Sequence, residues 1–373
     1  MPIVASEFRP RAWLCNPHLQ TVLASRLAVP PRPPVLLERL ELDDGDFVDL
    51  AHGGALVATP EDTSDTRPAD TSDRSPENAP AVAAADDPAS RLAESDRDAA
   101  VAPRRGVPMV ALFHGLAGSL DSSYARGAIA ALGTAGFRTC LMHWRGCSGE
   151  PNRLARSYHS GASDDIGRIV DTLRARHPDS ALYAVGFSLG GNALLKYLGE
   201  QGEATPLAGA LAVSPPLELA IGAEQLDRGL ARVYRGHLLA LMRAQHEAKR
   251  ALRPALALPQ AHAGLDTFRK FDDALTAPLH GFAGVDDYYE RCSARGWLGT
   301  IRRPTHILCA RDDPFFTEEI LPGADELAAA TTLELARHGG HVGFLAGGRA
   351  GRPYRWLDEH VAQVIARFHE ADT

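Results

Sequence analysis

"YAVGFSLGGNALLKYLGE", from Tyr183 to Glu200, sets a single serine among glycines, after an apolar run and ahead of a helix-like pattern. Its frame is Gly186-Phe187-Ser188-Leu189-Gly190, with Gly191 beyond. A strand that reverses sharply into a helix needs such a frame to hold a serine in a strained backbone conformation. The segments on either side pass so close that side chains two residues before or after the serine would clash, hence the glycines. The turn lifts the hydroxyl above the carboxyl edge of a sheet. It also aims the N–H of Leu189, at a helix start, toward a developing negative charge. A phosphate-binding turn would use similar glycines, but no Lys-Ser/Thr follows them and no GxGxxG is present. Ser188 is therefore read as a nucleophile.

Outward from this turn, apolar runs alternate with amphipathic stretches. "VPMVALFHG" is followed by "SSYARGAIAALGTAG", "FRTCLMHW" by "SDDIGRIVDTLRARHP", and "LAGALAVSP", "PTHILCA" and "TTLELAR" continue the series. In the second helical stretch Ile166, Ile169, Val170 and Leu173 share one face, with two aspartates in the first turn where the helix dipole favours them. A last helix carries Leu357, Val361, Val364, Ile365 and Phe368. The alternation predicts an α/β fold with a mostly parallel sheet covered on both faces. Near the start, "VLLERLELDDGDFVDLAHGG" reads as two strands around a turn at Asp43–Gly45. From about 217 to 298 no strand is visible. "AEQLDRGLARVYRGHLLALMRAQHEAKRAL" instead puts Leu226, Leu230, Val233, His237 and Leu241 at helical spacing, and the block is expected to be a helical lid over the sheet.

Composition bounds the partners. The formal charge is -8, yet 11 acidic and only 4 basic residues fall between Thr59 and Val101, so seven of the excess charges lie there. The remainder is near neutral and offers no footprint for nucleic acid. The segment from about 59 to 105 is rich in Pro, Ala, Ser, Thr and Asp and has no aromatic residue, which predicts a disordered surface loop in one domain spanning 1–373. A linker between two domains is the competing reading; the strand pair before it is too small for a core of its own. Five scattered cysteines without a CxxC spacing speak against a disulfide framework or a zinc site and fit a reducing cytoplasm. No apolar run approaches the roughly 18 residues of a membrane span, and arginines stand where a signal peptide needs its apolar core. A soluble cytoplasmic protein is expected, with its oligomeric state left open.

A nucleophilic serine at such a turn needs accessories. "ALFHGLAGS" ends an apolar run and offers the N–H of Leu116 as a second donor to an oxyanion, beside that of Leu189. His114 there is read as a structural polar group. "PTHILCARDDPFF" offers Asp312 or Asp313 just past a strand, to orient a base; Asp313 is favoured, because one of two adjacent acids commonly only caps the turn. "ARHGGHVGF" follows the last strand with His338 and His341, and the Gly-Gly pair before His341 suits a loop that carries an imidazole to Ser188. The chain order Ser, Asp, His is the one this arrangement uses. No role follows for His18, or for His143 to Gly149. Cys147 reads as an inert thiol.

With these stretches together the chain resembles the YheT-like branch of the α/β-hydrolases, which includes eukaryotic medium-chain lipid esterases. The resemblance rests on "NPHLQT", "DGDFVDL", "HGLAGS", "MHWRGCSGEPNRL", "SYHSG", "GFSLGGNALLKYLGE", "FDDALTAPLHGF", "DDP" and "GGHVGF". It covers nearly the whole chain except the acidic segment. It implies an α/β-hydrolase fold, a charge-relay triad of Ser188, Asp313 and His341, and hydrolysis of small or lipid-like carboxylic esters with short or medium acyl chains. Eukaryotic relatives carry a membrane anchor that is not seen here. No cofactor and no metal are expected. Acyl transfer or thioester cleavage on the same triad is the first alternative. A non-catalytic binding protein of this fold would leave the ordered Ser/Asp/His set without a reason, and a nucleotide-binding protein lacks a phosphate motif.

Overall fold

A computed structural model describes residues 2–26, 28–55, 106–348 and 353–372. The whole acidic segment at 59–105, expected as a loop, thus lies outside the described residues. The strands are β1 (Ile3–Ala5), β2 (Leu36–Glu41), β3 (Phe47–Gly54), β4 (Met109–Phe113), β5 (Arg138–His143), β6 (Leu182–Phe187), β7 (Gly209–Val213), β8 (Thr305–Ala310), β9 (Thr331–Ala336), β10 (Leu345–Gly347) and β11 (Pro353–Arg355). The longer helices are α1 (Pro17–Arg26), α2 (Ser123–Thr134), α3 (Ser163–Arg176), α4 (Leu189–Gln201), α5 (Leu219–Leu226), α6 (Ala231–Leu252), α7 (Val285–Cys292) and α8 (Trp356–Asp372).

Nine strands form one sheet in the order β1-β9-β8-β7-β6-β4-β5-β3-β2. Pairing is parallel from β1 to β5 and antiparallel only in the β5-β3-β2 corner, where β2 and β3 make the predicted hairpin. Strands β4 to β8 are buried along their whole length, which is why they read as unbroken apolar runs. Successive side chains still point to opposite faces: Met109, Ala111 and Phe113 enter one core, Val110 and Leu112 the other. Helices α3 and α4 pack on the first face, α2 and α8 on the second. The expected faces of α3 and α8 are the buried ones, apart from a half-buried Phe368. The strand β1 and the small β10–β11 ribbon escaped the sequence reading because three residues carry no periodicity.

Since β5 and β6 lie on opposite sides of β4, the chains leaving β4 and β6 diverge at the carboxyl edge of the sheet. Such a switch point opens a crevice there. Between β7 and β8 only helical elements occur: α5, α6, the turns at 268–279, α7 and a 3-10 stretch at 294–300. All but the 3-10 stretch, whose Ala294 and Leu298 join the core on the first face of the sheet, form a core of their own around Leu226, Leu239, Phe271, Leu275 and Tyr288. This block leaves and rejoins the rest at one stem, where Arg295 N–H donates to the Leu217 carbonyl (3.0 Å) and Leu219 N–H to Ser293 Oγ (3.0 Å).

The helical spacing noted from Leu226 to Leu241 runs over two helices. Leu226 is buried on α5, but Leu230, Val233 and Leu241 are 66%, 69% and 37% exposed. The turn at Asp227–Leu230, with Gly229 at φ 45°, ends one helix and re-aims the next, so spacing counted from Leu226 does not carry over. The inward side of α6 is instead that of Leu238, Leu239 and Met242.

Candidate active site

Ser188 sits between β6 and α4 with φ 51° and ψ -119°, a region costly for any residue but glycine. The strain is held from both sides, by Ser188 N–H on the Val213 carbonyl (2.8 Å) and Asn192 N–H on the Ser188 carbonyl (3.0 Å). The flanking glycines have the steric reason anticipated. A Cβ on Gly186 would lie 2.5 Å from the Gly190 carbonyl oxygen, and one on Gly190 would lie 2.3 Å from that of Phe113.

From this turn a hydrogen-bonded line runs across three loops. Ser188 Oγ–H donates to His341 Nε2 (2.9 Å), and His341 Nδ1–H donates to Asp313 Oδ2 (2.9 Å). The carboxylate can only accept, and that fixes the imidazole tautomer. Asp313 follows β8, and its other oxygen accepts from Phe315 N–H (2.8 Å). Asp312 points elsewhere: it accepts from His338 Nδ1 (3.1 Å) and Gly340 N–H (3.0 Å), bracing the loop that carries His341. Burial raises the Asp312 pKa above its ordinary value. Of the two acids and two histidines, only Asp313 and His341 line up with Ser188.

The loop after β4 abuts the serine; a Cβ on Gly115 would come within 3.2 Å of Ser188 Cβ. Gly115 N–H donates to the Tyr124 hydroxyl (2.9 Å) and Ala117 N–H to that of Tyr158 (2.8 Å). Leu116, between them, lines the same cavity as Leu189, whose N–H is one of the orphan donors at the start of α4. His114 is wholly buried, with Nδ1–H on the Gly115 carbonyl (2.8 Å) and Nε2 accepting from Trp144 N–H (3.2 Å). Burial pushes its pKa down to about 3, so it serves structure.

The cavity above Ser188 encloses about 1240 Å³ including its open mouth. Leu116, Leu219, Leu226, Met242, Phe268 and Phe315 give it an apolar wall. Two buried ionisable groups of the helical block also line it. Asp272 accepts from Thr276 Oγ1 (2.7 Å) and the Tyr289 hydroxyl (2.9 Å), in a π-helical turn, and burial raises its pKa to about 6. Lys249 donates to the carbonyls of Leu154 (3.0 Å) and Arg156 (2.8 Å) and to Ser157 Oγ (2.8 Å); burial lowers its pKa to about 8.

Several roles were hidden from the sequence. Phe315 stacks on His341 with ring centroids 3.8 Å apart and planes within 6°. Helix α1, from "NPHLQT", braces the histidine loop: Thr21 Oγ1 accepts from His341 N–H (3.0 Å), and buried Gln20 holds the Leu345 backbone. His18 reaches the cavity's outer helix through Tyr234 (3.0 Å). In "HWRGCSG", His143 accepts from Leu120 N–H (3.2 Å), and Arg145 is buried among Asp44, Asp46 and Asp165. Cys147 is buried, its thiol pushed up to about 12.

Among the described residues one group has metal-ligand chemistry: His306, Glu334 and His360, on β8, β9 and α8. Both imidazole Nε2 atoms meet Glu334 Oε2, at 2.7 and 2.9 Å. Against the upward push of burial, those bonds hold the carboxyl well below its usual range. The trio lies apart from the cavity lining.

The alpha/beta hydrolase fold family matches residues 108–347. YheT, an esterase-type protein of Escherichia coli (strain K12), is 35% identical over 370 residues, 98% of this chain and 95% of its own length. The chain belongs to the YheT-like branch of the α/β-hydrolase family. A monoacylglycerol lipase of Saccharomyces cerevisiae is 30% identical over 281 residues, 71% of this chain and 60% of the lipase. A Pyrococcus furiosus esterase of solved structure superposes with a TM-score of 0.49 at 11% identity, over 99% of both chains. No described helix of this YheT-like hydrolase is long and apolar enough to cross a membrane.

Proposed function

We propose that the protein is a serine hydrolase that cleaves lipid-like carboxylic esters with short to medium acyl chains, through an acyl-enzyme on Ser188. The carrying observation is the unbroken Ser188–His341–Asp313 line at the foot of an apolar cavity. His341 Nε2 takes the Ser188 proton as Oγ bonds to the ester carbonyl carbon, and Asp313 stabilises the imidazolium that forms. The N–H groups of Leu116 and Leu189 receive the oxyanion. As it collapses, the carbon–alkoxy bond breaks and the leaving alcohol takes the proton from Nε2. Water then attacks the acyl carbon, giving its proton to His341 and releasing the acid and free Ser188.

The acyl chain lies along the wall of Leu219, Leu226, Met242 and Phe268, and the helical block acts as a lid. The names of YheT and of the yeast monoacylglycerol lipase support an ester of this type. Fluorophosphonate labelling read by mass spectrometry tests the nucleophile. A single adduct on Ser188, absent from Ser188→Ala, is expected; a folded protein that takes no label overturns the proposal. A series of p-nitrophenyl esters tests the pocket, where hexanoate and octanoate should outrun acetate.

A further inference from the structure

Helix α6 is inside out for a helix of a water-soluble cap. One side lines the cavity with Leu238, Met242 and Gln245. The outer side should be polar, yet it exposes Val233, Ala240, Leu241, Ala244 and Ala248 in helical register, with His237 the polar residue among them. Leu230 just before the helix and Leu252 at its end extend this strip, both about two-thirds exposed (66% and 65%). At 1.5 Å per residue the helix is about 33 Å long, so the strip is long as well as apolar.

A second exposed set adjoins it. Trp13, Leu19 and Val22, on or just before α1, are 49%, 42% and 43% exposed. The two elements touch where His18 bonds to and stacks on Tyr234, rings 5.8 Å apart. Most of the exposed large apolar side chains among the described residues fall on these two stretches. A scatter of single residues would need no explanation, but a concentration does.

Charge selects the occupant. The whole chain carries -8, but residues 8–35 hold four arginines and no acid, and on and beside α6 the exposed charged side chains between 227 and 253 are Arg228, Arg232 and Arg250. Arg228 and Arg232 stand at the start of the strip and Arg250 near its end, Arg228 pairing with Glu224 (3.7 Å) and Arg250 with Glu247 (2.7 Å), while Arg26 is exposed at the end of α1. An apolar helix face with arginines at its ends, and an exposed tryptophan on the segment leading into α1, match the boundary between acyl chains and anionic headgroups. We propose that the outward face of α6, together with the α1 segment, docks on an anionic lipid surface. The helix then lies in the headgroup layer with the acyl-binding cavity directly behind it. As a route for substrate this rests on the ester-hydrolase reading; as a binding surface it is tested without catalysis.

The test is flotation of the purified full chain with phosphatidylcholine vesicles and with vesicles enriched in phosphatidylglycerol. Binding to the anionic vesicles is expected, weakening as salt is raised. Leu230→Ser/Val233→Ser should lower it by about tenfold or more, while hydrolysis of a monomeric water-soluble ester stays within about twofold, since exposed sites contribute little to stability. Failure to float, or equal flotation of the double variant, overturns the docking surface whatever the esterase assay gives. A dimer in light scattering that the same variant dissociates assigns the face to a second copy instead. An enzyme that floats but hydrolyses no ester leaves the surface standing and removes the catalytic reading.

Discussion

Two acid–histidine pairs sit side by side at the edge of this sheet. Asp313 with His341 and Asp312 with His338 have the same chemistry and nearly equal lengths, 2.9 and 3.1 Å. What separates them is the third partner. His341 has Ser188 on its far nitrogen, whereas Asp312 gives its second oxygen to the backbone of Gly340. In the proposed mechanism the first pair moves a proton, while the second braces a loop. Proximity of an acid and a base thus says little about function until the remaining valences are followed.

The largest expected effect is at the nucleophile. Ser188→Ala should lower kcat for a p-nitrophenyl ester by about 10⁴–10⁶. Next comes the acid: Asp313→Asn should cost about 10⁴, because the amide can stabilise the wrong tautomer. Asp312→Asn should cost less than about tenfold in kcat and show chiefly as a lower melting temperature. Equal losses from the two would dissolve the distinction between the pairs. Phe315→Leu keeps an apolar side chain but removes the stacked ring over His341; a loss on the order of tenfold, in kcat more than in KM, would mark it as a positioning residue.

The smallest effect concerns a third carboxyl. Asp272, raised from 3.8 to about 6, binds its proton more tightly folded than unfolded. Its favourable contribution is therefore complete below about pH 4 and is lost as pH rises through 6, leaving a buried charge above. Asp272→Asn should accordingly raise the melting temperature more at pH 8 than at pH 5, and equal shifts at both would disprove the linkage.

Much of the sheet and the main residues of the candidate site were legible because their signals are local. Buried parallel strands are unbroken apolar runs, and the glycines beside Ser188 are dictated by contacts within one turn and its neighbour. The part that stayed hidden is non-local. Thr21 meets His341 across 320 positions, and no spacing rule reaches that far. The outward face of α6 stayed hidden for a different reason. Periodicity tells that Leu230, Val233 and Leu241 share a side, but not which way that side looks.

The stem that ties Leu217 to Arg295 bears on how large the helical block can be. The chain of the block enters and leaves there, and side-chain bonds such as Lys249 on the Leu154 and Arg156 carbonyls hold it down elsewhere. For a flexible segment, doubling the length beyond such a closure costs only about 0.6 kcal/mol. Chain closure alone therefore sets little limit on the size of this block, and what fixes its fit over the sheet is the set of side chains it lays against the loops below.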